Sequence, residues 1–200
     1  MKRPLAIVVC GALAREVREI AARHAWDADL VTVAALDHLS PKKIVADVEQ
    51  ELELLEGRYE KVVVAYGDCG TFGALDRVLE RFDAVRTGGP HCYEMYGGDQ
   101  LAAESEQRIG TFFLTDWLVR NWQRAVVDGL GIGRFPYLRN TYFDHCTDVL
   151  YLRQSPEPSL EEKAREIAAE LELPLEIRDV GLGDLERRLI DLVDEPTAAS

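Results

Sequence analysis

"KVVVAYGDCGTFGALDRVLERF", Lys61 to Phe82, runs from a β-branched stretch through a glycine-rich turn into a segment with helical spacing. Lys61 to Tyr66 reads as a buried strand. Leu75, Val78 and Leu79 then recur on one face of a helix expected from about Phe72 to Phe82. A strand feeding a helix through a short turn is one half of a βαβ unit, and it asks for parallel neighbours.

Those neighbours are legible on either side. Leu5 to Cys10 is a strand by composition, followed by a helix with Leu13, Val17, Ile20 and Ala21 on one face. Asp29 to Leu36 reads as a strand. Ser40 is placed to cap the next helix, Pro41 to open it, and Ile44, Val45, Val48, Leu52 and Leu55 to line it as far as Gly57. "DAVRT" suggests a short fourth strand, "GGPHCYEMYGG" a loop, "LAAESEQRIG" a helix, and "FFLTDWLVRNWQRAVVDGL" a mainly helical, aromatic-rich segment with Trp117 and Trp122 in a core or an interface. Asp148 to Leu152 returns to strand, Ser159 and Glu162 form a capping box for a further helix, and "LEIRDVG" and "GDLERRLIDLV" supply a last strand and helix. The expected fold is α/β: one domain over residues 1–193, a mostly parallel open sheet with helices on both faces, Rossmann-like, and a frayed tail over 194–200.

Composition narrows the function. A net charge of −13 from 36 acids against 23 Lys and Arg repels a phosphate backbone, so nucleic acid is not an expected partner. The short apolar run at the start falls below a signal-peptide core or a membrane span, which gives a cytoplasmic protein without a membrane partner as the expectation. The 4 cysteines then read as free thiols or metal ligands rather than bridges.

In a parallel sheet, ligands gather beyond the carboxyl ends of the strands. Cys10 ends the first strand and reads as a small buried hydrophobe. Cys69, Cys92 and Cys146 lie among His, Asp, Glu and Gly, poor material for core filling, and they form the expected ligand set of a zinc site. His91 and His145 are further or alternative ligands. Asp68, Glu94 and Asp144 stand within two positions of these ligands and are candidates for proton transfer or for orienting them. Gly11, Gly67 and Gly70 are candidates for close backbone approach to a ligand or cofactor. An iron-sulfur cluster fits the dispersed cysteines less well than zinc. "GLGIGRF", Gly129 to Phe135, lacks the following helix of a dinucleotide turn and reads as a loop. His24 and His38 read as surface or capping residues, and Glu49, Glu51, Glu53 and Glu56 as a solvated helix face.

"VCGAL", "YGDCGT", "GPHCYEMYGG" and "FDHCTD" together resemble the prokaryotic family called Domain of Unknown Function 1638, over about Ile7 to Val180. The resemblance carries no settled activity. It implies a setting beside corrinoid methyltransferase components, and hence one-carbon metabolism as a methyltransferase-associated protein, although the Asp-x-His-x-x-Gly pattern of a corrinoid-binding domain is absent. The expected function is a zinc-binding protein, enzyme or accessory, acting on a small-molecule substrate, with a homo-oligomer as an open expectation. The alternatives are a metal-free cysteine racemase or lyase, whose strand-end loops "GDCGT" and "HCTD" faintly resemble, and a non-catalytic metal- or cofactor-binding accessory protein.

Overall fold

The computed structural model describes residues 3–195, the side chains of residues 3, 105 and 106 excepted. The protein is α/β, with parallel sheets flanked by helices. Its strands fall into two sheets rather than one, and the chain into two compact units. One unit runs up to Met95 and resumes at Asp184; the other is Tyr96–Gly183.

The first unit holds β1 (Arg3–Cys10), α1 (Ala14–Arg23), β2 (Ala28–Val33), a 3-10 turn (Ala35–Leu39), α2 (Pro41–Leu55), β3 (Tyr59–Ala65), α3 (Ala74–Arg81) and β4 (Val85–Arg86). The strand order is β2-β1-β3-β4, all parallel, with Cys10 beside Val33 and Val9 beside Ala65. Every residue of β1 from Leu5 to Cys10 is buried, so both faces of this central strand are covered. The coverage comes from the stripes expected of the sequence: Val17, Ile20 and Ala21 on α1, Ile44, Val48, Leu52 and Leu55 on α2, and Leu75, Val78 and Leu79 on α3. Each such Val, Leu or Ile side chain contributes about 1.5–3 kcal/mol of burial. Ser40 takes the N-cap position of α2 and Pro41 its first turn, as expected, but the Ser40 hydroxyl makes no capping bond.

The order β2-β1-β3 has a functional consequence. The chain leaves β1 to one side for β2 and returns on the other side for β3, so β1 and β3 flank a topological switch point. At the carboxyl ends of such a pair the following loops diverge and leave a crevice. Among the described residues no helix is long and apolar enough to cross a membrane.

The second unit takes most of α4 (Cys92–Glu104), then β5 (Thr111–Thr115), α5 (Asp116–Arg120), a π-helical segment (Gln123–Asp128), α6 (Leu138–Phe143), β6 (Asp148–Arg153), α7 (Pro158–Leu171) and β7 (Leu175–Asp179). Its sheet is β5-β6-β7, all parallel, and Val149 to Leu152 of the central β6 are buried. Trp122 is buried against Phe112 and Phe143, at centroid distances of 6.0 and 6.4 Å, while its Nε1 donates to Glu170 Oε2 at 3.2 Å. It is a core residue, as its sequence setting suggests. The final helix, α8 (Gly183–Asp194), buries Leu185 and Leu189. The tail expected over 194–200 lies largely outside the described residues.

Three local expectations are corrected. "FFLT" is strand, because Phe and Thr side chains fit a pleated surface; Thr115 then caps α5 by accepting from the Leu118 N–H at 3.3 Å. "CYEMYGG" is helical: burial of Met95, Tyr96 and Leu101 outweighs the glycine pair, and Gly98, at φ 58° and ψ −155°, absorbs a kink. The capping box at Ser159 does not form, since Pro158 opens α7 earlier and the Ser159 hydroxyl donates to Glu157 instead.

Acids and arginines knit the surface of the second unit. Glu104 Oε2 accepts from Arg108 Nε at 2.8 Å and from Arg178 Nη2 at 3.1 Å, and Oε1 accepts from Gln100 Nε2 at 3.0 Å. The Arg108 guanidinium first, then Arg178 and Gln100, hold the Glu104 carboxyl down at about 2. A carboxyl depressed on folding stabilises above its unfolded pKa and loses that contribution as pH falls toward the folded one. Urea midpoints for this unit are therefore expected to drop between about pH 5 and pH 2, and Glu104→Gln to flatten that slope. An unchanged slope in Glu104→Gln would remove the assignment.

Candidate functional site at the carboxyl edge of the first sheet

The site is built from four strand-end loops. Cys10 closes β1 and is buried. Tyr66 follows β3 and is fully buried, with its hydroxyl facing the Cys10 thiol. The turn after it, Gly67 to Gly73, is clamped to the loop after β4: Asp68 N–H donates to Gly89 O at 2.8 Å and Cys69 N–H to Pro90 O at 2.7 Å. The two loops lie so close that a Cβ on Gly67 would stand 2.9 Å from His91 Cα, which is why glycine occupies the position. The same clamp brings Cys92, the first residue of α4, to Cys69, and the Cys92 N–H points at the Cys69 sulfur. Asp37, buried in the 3-10 turn after β2, adds a carboxylate facing Cys10 and Tyr66.

Cys10, Cys69 and Cys92 thus stand on neighbouring loops at the β1–β3 switch point. Burial first, then the Cys10 thiol, pushes Cys69 up to about 12, against the N–H groups of Cys92 and Gly67. Burial, then Cys69 and Cys10, holds Cys92 well above the ordinary thiol range. Cys10 is raised chiefly by burial. These thiols are protonated at neutral pH, the opposite of the depressed pKa that a free cysteine nucleophile uses.

The surroundings carry unmet polar groups. The Tyr66 hydroxyl, Asp37 Oδ2 and His91 Nδ1 are buried without a hydrogen-bond partner of good geometry, although Asp37 Oδ1 accepts from Lys43 Nζ. Such groups cost about 1–3 kcal/mol each unless a ligand satisfies them. His38 stacks on Tyr66 at 5.9 Å, and its Nδ1–H donates to Ala35 O at 2.8 Å. A donor set of thiols, a carboxylate and imidazoles suits a soft or borderline divalent cation. Their spacing does not form a ready cage: among the described residues no three His, Cys, Asp or Glu side chains are gathered into a group that could hold a metal ion. Capture would need the thiols to turn toward one another.

Several expected site residues take other roles. Asp68 organises its own loop: its carboxylate accepts from the Phe72 N–H at 3.0 Å, the Gly73 N–H at 2.9 Å and the Thr71 hydroxyl at 3.0 Å. Burial works to raise this carboxyl, and the three donors more than offset it, so it sits below its ordinary range. Gly11 spends its N–H on Val33 O at 2.8 Å, which removes it as an anion donor. Gly70 turns the chain at φ 82° and packs on Pro41. Glu94 is half-buried, with its carboxylate over Gly89.

Cys146, with Asp144 and His145, belongs to the second unit and precedes β6, at the amino edge of that sheet. A residue that opens a strand cannot sit at its carboxyl end, so grouping Cys146 with Cys69 and Cys92 as one edge is corrected. Asp144 and His145 are exposed, and the Cys146 N–H donates to Phe143 O at 2.9 Å. Sequence reasoning missed Cys10, Tyr66, Asp37 and His38 as site residues. Their signal was position, because Cys10 ends β1 and the others follow β2 or β3 directly or within a few residues.

Fold and loop geometry together define a parallel α/β protein with cysteine-bearing loops at the topological switch point of its first sheet. Residues 33–189 match the family described as Protein of unknown function (DUF1638), and the chain belongs to that family. The match takes in Cys69, Cys92 and Cys146, while Cys10 lies before it. No curated protein and no solved structure matches the chain.

Proposed function

We propose that the protein binds a soft divalent metal, zinc foremost, at the carboxyl edge of its first sheet, and acts there on a small molecule. Cys10, Cys69 and Cys92 are the proposed ligands, with Asp37 and His38 within the same loop cluster. The observation that supports the reading is that the loops carrying Cys10, Cys69 and Cys92 lie together at the carboxyl ends of β1 and β3, beside a buried Asp37 Oδ2 that has no hydrogen-bond partner. When bound, a thiolate-held zinc supplies a Lewis acid or a place to hold a substrate thiol as thiolate. The family resemblance supports methyl transfer in corrinoid-linked one-carbon metabolism as the reaction class. Tyr66 and Asp37 would orient a polar group of the substrate, and the walls formed by Cys10 and Tyr66 would keep water from it.

The test is elemental analysis of protein purified without chelator. Zinc, or another soft divalent metal, at about one per chain is the expected result. A chain that leaves purification metal-free and takes up no added zinc would overturn the reading.

A further inference from the structure

A cavity of about 650 Å³ is lined by Leu39, Pro41, Val45, Gly70, Phe72 and Ala74 among others, Gly70 being the chain neighbour of Cys69. Its walls are the segments that follow β2 and β3 together with the first turns of α2 and α3, and its volume falls in the range of small-molecule sites, about 300–1,000 Å³. The lining is mainly apolar, and its rim carries two large exposed side chains, Phe72 at 90% and Leu39 at 53%.

The display of Phe72 is built into the loop. Its backbone is left-handed at φ 51°, as is that of Cys69 at φ 49°, a conformation that bulky side chains avoid. The Asp68 carboxylate holds Phe72 there by taking the N–H groups of Phe72 and Gly73, and the Cys69 N–H is tied to Pro90 O. Strain kept in place by its surroundings, ending in a bare phenyl ring on an apolar cavity, points to recognition rather than to folding.

We infer that this cavity binds the apolar part of a small molecule, with Phe72 as its recognition residue and the ligand's polar end at the Ser40 and Thr71 hydroxyls of the lining. The inference names the ligand class of the sheet edge described above, and it does not depend on a bound metal. Cavity volume and position beyond the strand ends favour a small ligand over a protein surface, which would be flat and extended.

Titration of the full chain with the uncharged dye Nile red tests it, on metal-free and zinc-treated protein alike. Saturable binding of about one dye per chain is expected. Phe72→Ala and Val45→Asp should weaken it by about tenfold while Phe72→Tyr, which keeps the ring, retains it. Absence of saturable binding, or equal binding by all variants, overturns the inference. So does a wild-type dimer in sedimentation that Phe72→Ala converts to monomer, since the ring then serves a second copy. Dye binding without zinc uptake supports the inference while removing the metal reading; zinc uptake without dye binding does the reverse.

Discussion

Cys10→Val is expected to abolish stoichiometric zinc uptake, and Cys146→Ser to leave it unchanged. Cys69→Ser and Cys92→Ser are expected to behave like the Cys10 variant. Valine replaces the buried thiol with a hydrophobe of similar size, so the packing of Cys10 in β1 is retained and only its donor is lost. Removing one ligand of three should weaken zinc by about 100-fold or more, since even the partners that orient ligands are worth 10–100-fold. Competition against a chromophoric chelator measures the loss, and a thermal melt of each variant separates it from unfolding. The contrast is diagnostic because the two cysteines stand at opposite kinds of strand end. Loss of zinc in Cys146→Ser with retention in Cys10→Val would return the ligand set to the one drawn from sequence.

The second large effect lies in the other sheet. Asp116 opens α5 with only 1% of its surface exposed, and its carboxylate collects donors from the end of β6. Tyr151 Oη donates at 2.6 Å, the N–H groups of Gln154 and Ser155 at 3.0 Å each, and the Ser155 hydroxyl completes the set. Asp116→Ala strands these donors in the interior and should cost the second unit about 3–5 kcal/mol. Tyr151→Phe removes a single donor and should cost about 0.5–1.5 kcal/mol, or somewhat more because its acceptor is charged. Hydrogen exchange of the β5 and β6 amides reads the effect on this unit directly. A loss below about 1 kcal/mol for Asp116→Ala would show that the network is not a structural centre.

Much of this architecture is legible in the chain because its central strands are continuous apolar runs and its helices carry clean stripes. Leu5–Cys10 and Lys61–Tyr66 read as strands from their apolar runs, the second ending one residue beyond the observed β3, and α2 advertises itself from Pro41 to Leu55. Thr111–Thr115 and the Cys92 helix were obscured because local preference and burial disagree there: an aromatic cluster and a glycine pair each suggest the wrong element. The division into two sheets leaves no local mark, since pairing partners are distant in sequence. For the site, the thiol loops after β3 and β4 were readable from their company of Gly, Asp and His. Cys10 was not, because at a strand end a buried thiol looks like a small hydrophobe until Tyr66, Asp37 and Cys69 are seen around it. Cys146 misled for a directional reason: similar neighbours mark both ends of a strand, and only chain direction tells which end they occupy.

The left-handed backbone at Cys69, φ 49°, sets stability against site chemistry at a single residue. Glycine would hold that conformation without the roughly 1–2 kcal/mol that a side chain costs there. Drift toward a sturdier fold would therefore erase the thiol first. Cys69→Gly is expected to raise the melting temperature of the chain while removing the thiol, so that a sturdier loop and a donor at this position exclude each other.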